Sequence, residues 1–145
     1  MRIVLDTNVL VSGLLSPYGP PGEIVRLVAI GNLNLCYDAR ILGEYREVLL
    51  RPAFPFSIDQ VAMLLNQVET NGHLIGTRPL PKSLPDRDDE AFLAIALAGR
   101  AEYLVTGNLR HYPAKSRQGV KVVLPARFLE LYRKNYVPFS TSSTR

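Results

Sequence analysis

Three carboxylates stand where carboxylates are poor packing residues. Asp6 ends the apolar run Ile3-Val4-Leu5, and Glu44 falls three residues after Ile41 and four before Val48, on the apolar stripe of a helix-patterned segment. Asp89 lies in the acidic knot Asp86-Arg87-Asp88-Asp89-Glu90, directly before an alanine-rich stretch. Each has an ordinary reading. Asp6 or Asn8 would cap a following helix, first-turn acids complement a helix dipole, and Glu44 would snorkel to water. If the three converge, their mutual repulsion calls for a cation. Carboxylate, carbonyl and amide oxygens suit a hard divalent ion such as Mg²⁺ or Mn²⁺, and such a cluster commonly serves phosphoryl chemistry. His73, His111 and Cys36 lack zinc-site spacing.

The elements that must position these residues follow from periodicity. Apolar runs at 3–5, 33–37 and 103–106, with shorter ones at 73–75 and 120–124, read as strands. Helical patterns span 23–30, 39–51, 57–70, 91–100 and 125–136, with 16–22 as a Pro/Gly loop and Pro52 stopping the second helix. Ser57 and Gln60 stand at capping-box spacing. The 91–100 segment is apolar nearly all round, so neighbours must bury it on several sides. Alternating strands and helices predict an α/β fold, a three-layer α/β/α arrangement around a mainly parallel sheet. In such a sheet the ends of the first and fourth strands can lie side by side. Asp6 and Asn108 would then face one crevice beyond the strand ends, where ligands of open α/β sheets bind.

The 145 residues suffice for one domain, expected over 1–137, with a polar tail at 138–145 expected to be disordered. No apolar stretch is long enough to cross a bilayer, Asp6 interrupts any secretory signal, and one cysteine cannot form an internal disulfide, so a cytoplasmic location is the default. Beyond Glu102 the only acid is Glu130, against Arg110, Lys115, Arg117, Lys121, Arg127, Arg133, Lys134 and Arg145. That balance suits a protein holding a polyanion near bound cations.

These residues together resemble the PIN-domain nucleases. The likeness rests on Asp6-Thr7-Asn8 after a first strand, Glu44 in the second main helix, Asp89 opening an alanine-rich helix, and Val105-Thr106-Gly107-Asn108 ending a later strand. Length and the Asp-x-Asp-Asp spacing look most like the toxin components of toxin–antitoxin systems, the VapC-type toxins. The resemblance implies a Mg²⁺- or Mn²⁺-dependent endoribonuclease, a homodimer inhibited by a small antitoxin. It implies that Asp6, Glu44 and Asp89 are the catalytic, metal-holding acids, with Asn108 as a possible further ligand and Asp86 and Asp88 acting through water. Thr7, Asn8 and Thr106 would orient these ligands by hydrogen bonds. Many relatives carry an aspartate at the position of Asn108 and another acid shortly after, where this chain has Arg110 and His111. An amide oxygen brings no charge, which bears on whether one metal or two are held. Arg110, His111, Lys115 and Arg117 are expected to grip RNA phosphates in a salt-sensitive way.

Two other readings use the same residues. A phosphatase of the haloacid dehalogenase type also begins with a strand-end aspartate, but wants a second one two residues on, where this chain has Asn8. A non-catalytic PIN-like RNA-binding or regulatory module would keep the fold and drop the chemistry.

Overall fold

The computed structural model describes residues 1–136 apart from Arg78, Pro81 and Lys82, so the tail expected at 138–145 lies outside the described residues. Among the described residues, five strands, β1 (Arg2–Leu5), β2 (Asn34–Tyr37), β3 (His73–Leu74), β4 (Tyr103–Val105) and β5 (Val122–Val123), form one sheet in the order β3-β2-β1-β4-β5. Every pairing is parallel. The central register sets Ile3 beside Tyr103, Val4 beside Leu104 and Leu5 beside Val105, so β1 and β4 end level. The chain leaves β1 towards β2 on one side and returns with β4 on the other. The β1–β4 boundary is therefore the switch point at which an open α/β sheet offers a crevice.

Among the described residues, six helices cover this sheet: α1 (Thr7–Leu15), α2 (Pro20–Ala29), α3 (Ala39–Leu49), α4 (Ile58–Asn71), α5 (Glu90–Ala98) and α6 (Pro125–Tyr136). The result is the three-layer α/β/α arrangement the alternation predicts. Phe92 to Ala96 are all buried, because α5 lies against β1, β2 and β4 and also meets α3. That accounts for a helix with no polar face. The Ser57 side chain accepts from Gln60 N at 3.0 Å and starts α4 as its spacing predicts.

Most element ends shift by one or two residues from the sequence reading, and two departures are larger. The α2 helix starts at Pro20, three residues earlier than expected, because Pro20-Pro21 occupy its first two positions, where a missing N–H costs nothing. The apolar resumption at Val9-Leu10-Val11, which the sequence leaves without bounds, is part of α1.

Helices α1 and α2 pack closely, and the short connection between them needs glycine. A Cβ on Gly22 would overlap the backbone carbonyl of Pro17, whereas one on Gly43, in exposed α3 backbone, meets nothing within 4 Å. Gly22→Ala is expected to lower the urea midpoint by roughly 1–3 kcal/mol equivalent. Gly43→Ala is expected to raise it by about 0.5–1 kcal/mol through helix propensity.

Candidate metal centre

The site begins with how β1 stops. The Asp6 N–H donates to Val105 O at 2.9 Å, which carries the β1–β4 pairing one residue past the strand and fixes the Asp6 backbone at the switch point. On the other side, Tyr45 of α3, fully buried, donates its hydroxyl to Leu5 O at 2.6 Å. The bond ties α3 to the end of β1 and places the neighbouring Glu44 over the same sheet end.

Acids that cap can be separated from acids that do not. Asp38 accepts from Ile41 N, and Asp86 accepts from Asp88 N at 2.9 Å, so both do ordinary capping work. Asp6 and Asp89 also stand at N-cap positions, yet neither side chain makes a cap bond. Instead the Asp6 Oδ2 accepts from Thr106 Oγ1 at 2.9 Å and from the Tyr112 hydroxyl at 3.2 Å. The residue is 5% exposed. Asp89 follows a short 3₁₀ turn (Arg87–Asp89) and is 6% exposed. Its Oδ2 has no hydrogen-bond partner, nor has the buried Nδ1 of His111, 3.5 Å away. That separation is an ion-pair distance only if the imidazole is protonated.

Around this pair the remaining residues hold positions. Thr7 Oγ1 donates to a Glu44 carboxylate oxygen, and Asn8 Oδ1 accepts from Gly107 N at 2.9 Å. The Thr106 hydroxyl also accepts from Asn108 N at 3.1 Å. The Asn108 side-chain oxygen is itself occupied by Arg110 N at 3.0 Å, where it caps a 3₁₀ turn (Leu109–His111), and Asn108 is exposed. Arg110 and Lys115 are exposed, while Arg117 donates from Nε to Tyr112 O at 2.7 Å and braces the loop. Asp88 is exposed and lines an open cavity of about 310 Å³ with Glu44, Arg40 and Arg87. A second cavity of about 450 Å³ shares Arg40 and Arg87 and runs on past Thr77 and Ser83.

Sequence reasoning missed three things here. Tyr112 carries no motif; it is fully buried and donates its hydroxyl to Asp6. His111, expected to grip RNA phosphates, has its Nδ1 3.5 Å from Asp89 Oδ2. Arg40 and Arg87, which flank the opening, carry no motif.

The site is short of positive charge. Burial raises the pKa of Asp6 against the opposing hydrogen bonds from Thr106 and Tyr112. Burial also raises that of Glu44, with Asp6 adding to it. Asp89 is pushed up to about 7, by burial first and then by the charge of Asp6, with His111 pulling the other way. Ligand atoms of Asp6, Asp89 and His111 lie within 4.8 Å of one another, the one such group among the described residues. That spacing is close enough for one divalent ion to draw the three groups together. The unpartnered Asp89 Oδ2 is the kind of buried atom a cation would satisfy.

Among known proteins, an uncharacterized protein of Methanocaldococcus jannaschii is similar to this chain, 26% identical over 92% of this chain and 93% of its own length. No solved structure gives a significant match. The PIN domain model matches residues 2–110, three quarters of the chain from β1 through β4, and the chain belongs to the PIN-domain family.

Proposed function

We propose that this protein is a divalent-metal-dependent endoribonuclease that hydrolyses RNA phosphodiester bonds, and that it serves as the toxin of a toxin–antitoxin pair. The observation that carries the reading is the convergence of Asp6 and Asp89 at the β1–β4 switch point. Both are buried, neither caps its helix, and both have raised proton affinity. PIN domains have a nuclease-type fold and generally act with metal ions, and this acidic centre suits that use.

Asp6, Asp89 and Glu44 are the residues that would hold Mg²⁺ or Mn²⁺. The ion supplies Lewis acidity, lowering the pKa of water and offsetting phosphate charge. The protein supplies position. Thr106 and Tyr112 fix the Asp6 carboxylate, Thr7 fixes Glu44, and the Asn8–Gly107 bond holds the two strand ends together. Glu44 faces the open cavity and has a raised pKa, so it is the group placed to take a proton from an attacking water. Asp86 and Asp88 act through water at the rim.

The RNA strand would enter along the cavity flanked by Arg40 and Arg87, with Arg110 and Lys115 on the loop side. Arg40 is held by Asp38 and Thr77, which fixes its guanidinium at the opening. Arg87→Ala and Arg110→Ala should each weaken RNA binding at low salt and lower the slope of log K against log salt by about one. Unchanged slopes in both would place the strand elsewhere. A homodimer and inhibition by a small antitoxin occupying the same groove complete the reading, as in the toxins the motifs resemble.

The test is cleavage of mixed RNAs by the purified chain with Mn²⁺ or Mg²⁺ and then with EDTA. Cutting that requires the metal supports the assignment. Metal binding without any cutting would favour a non-catalytic PIN module, for which RNA binding alone would be the function.

A further inference from the structure

We infer that His111 is a direct metal ligand through Nδ1, which adds an imidazole to the carboxylates of the centre and makes it selective for transition-metal ions over Mg²⁺. The inference rests on the metal-dependent reading above and specifies which ion that site takes. It starts from two atoms that satisfy nothing. The Asp89 Oδ2 and the His111 Nδ1 are both buried, stand 3.5 Å apart, and lack any hydrogen-bond partner. A buried acceptor left unpaired is costly, and native structures hold few. In the neutral imidazole with its proton on Nε2, Nδ1 offers a lone pair, and two lone pairs facing each other repel. One cation between them satisfies both.

The local chain is built to deliver that ring. Asn108 accepts from Arg110 N with its amide oxygen and so starts the turn that carries His111. Tyr112, the next residue, is anchored on Asp6 by its hydroxyl and on Arg117 by its carbonyl. His111 is thus gripped on both sides, with Nδ1 turned inward while the side chain keeps 39% exposure. Water can then partner the Nε2–H, which holds the tautomer that leaves Nδ1 free to bind. The third ligand comes from Asp6, whose carboxylate lies within the same 4.8 Å group.

The choice of donor sets the choice of ion. Mg²⁺ prefers oxygen throughout and gains little from an imidazole, whereas transition-metal ions bind nitrogen increasingly well from Mn²⁺ onward. An all-carboxylate centre would show a weaker bias.

The experiment measures Mn²⁺, Co²⁺ and Mg²⁺ binding to the metal-free full chain by calorimetry. The wild type is compared with His111→Ala and His111→Asp, whose folding is checked by circular dichroism. Electron spin-echo modulation of bound Mn²⁺ then reads nitrogen coordination directly. The expected result is a ¹⁴N coupling in the wild type that disappears in both variants. His111→Ala should lose at least about tenfold in Mn²⁺ and Co²⁺ affinity with little change for Mg²⁺, and His111→Asp should recover binding with the preference shifted towards Mg²⁺. The other histidine, His73, stands in β3 at the sheet edge, two strands from β1, so the signal has one source. A wild-type spectrum without ¹⁴N coupling, or affinity ratios unchanged in His111→Ala, overturns the inference and leaves a His111–Asp89 ion pair in its place. Nitrogen coordination without RNA cleavage would sink the nuclease reading alone. Metal-dependent cleavage without nitrogen coordination would sink only the role of His111.

Discussion

Asp6→Asn should reduce metal-dependent RNA cleavage by at least about a hundredfold while the protein stays folded. The substitution keeps the side chain's shape and removes its charge. In the wild type, Oδ2 accepts from both Thr106 and Tyr112, so the asparagine must present its oxygen to those two donors. Its NH₂ then points where the carboxylate's other oxygen stood, and an NH₂ cannot bind a cation. Loss of an outer partner of a metal ligand already costs about 10- to 100-fold in affinity or activity, and Asp6 is proposed as a ligand itself. Stability should not fall with activity, because burial makes the charged form of Asp6 unfavourable before any metal arrives. The measurement is cleavage rate beside the thermal midpoint for both proteins. Equal cleavage would mean a contaminating ribonuclease or a site elsewhere in the chain.

Asp89→Asn should make the metal-free protein more stable at pH 8, by on the order of a few kcal/mol, and make it indifferent to added Mn²⁺. Asp89 titrates near 7 in the folded chain against an ordinary value of 3.8. Between those values the folded state holds a proton that the unfolded state has released. Wild-type stability therefore falls as pH rises through that window, and the loss is complete above it. The asparagine variant has no such charge, so the two proteins should converge towards pH 4 and diverge towards pH 8. Divalent ion binds the folded wild type at high pH and recovers the difference by mass action. Thermal midpoints at pH 5 and 8, with and without Mn²⁺, check all four corners. A wild type more stable than the variant at pH 8 without metal would show that Asp89 has a cationic partner already, and that the centre needs no ion.

Much of the scaffold was legible because burial writes period into sequence. The α5 helix betrayed its position by having no polar face, and β1 and β4 betrayed theirs by ending abruptly in polar residues. Asp6 stood out for the same reason: a carboxylate closing an apolar run must be satisfied by something. Legibility failed where tertiary direction decides. His111 sits among Arg110, Lys115 and Arg117, and composition alone assigns it to the same task; only the 3₁₀ turn shows it facing inward. Asn108 carries the right atom for a ligand, and no pattern in the sequence says that this oxygen also accepts from the backbone N–H two residues on. Tyr112 is a fully buried aromatic, and nothing in a one-dimensional pattern says whether such a ring brings its hydroxyl to a carboxylate. Arg117 is basic yet serves as a strut for that tyrosine. The early start of α2 was hidden because Pro20-Pro21 signal a loop as readily as a helix N-terminus.

The bonds that hold the Asp6 carboxylate span 100 and 106 residues of chain, to Thr106 and Tyr112. They also set an order of events. A polypeptide leaving the ribosome presents Asp6 first, while β4 and the loop after it are still to be made. Until they emerge, β1 has no neighbour on one side and its carboxylate has neither of these donors. Glu44 and Asp89 arrive in sequence, and the last groups to join are the ones that fix the first. The acidic centre is therefore assembled only after β4 and the loop that follows it have been made. For a chain whose proposed substrate is RNA, that chronology keeps the blade unformed beside the messenger and ribosome that are making it.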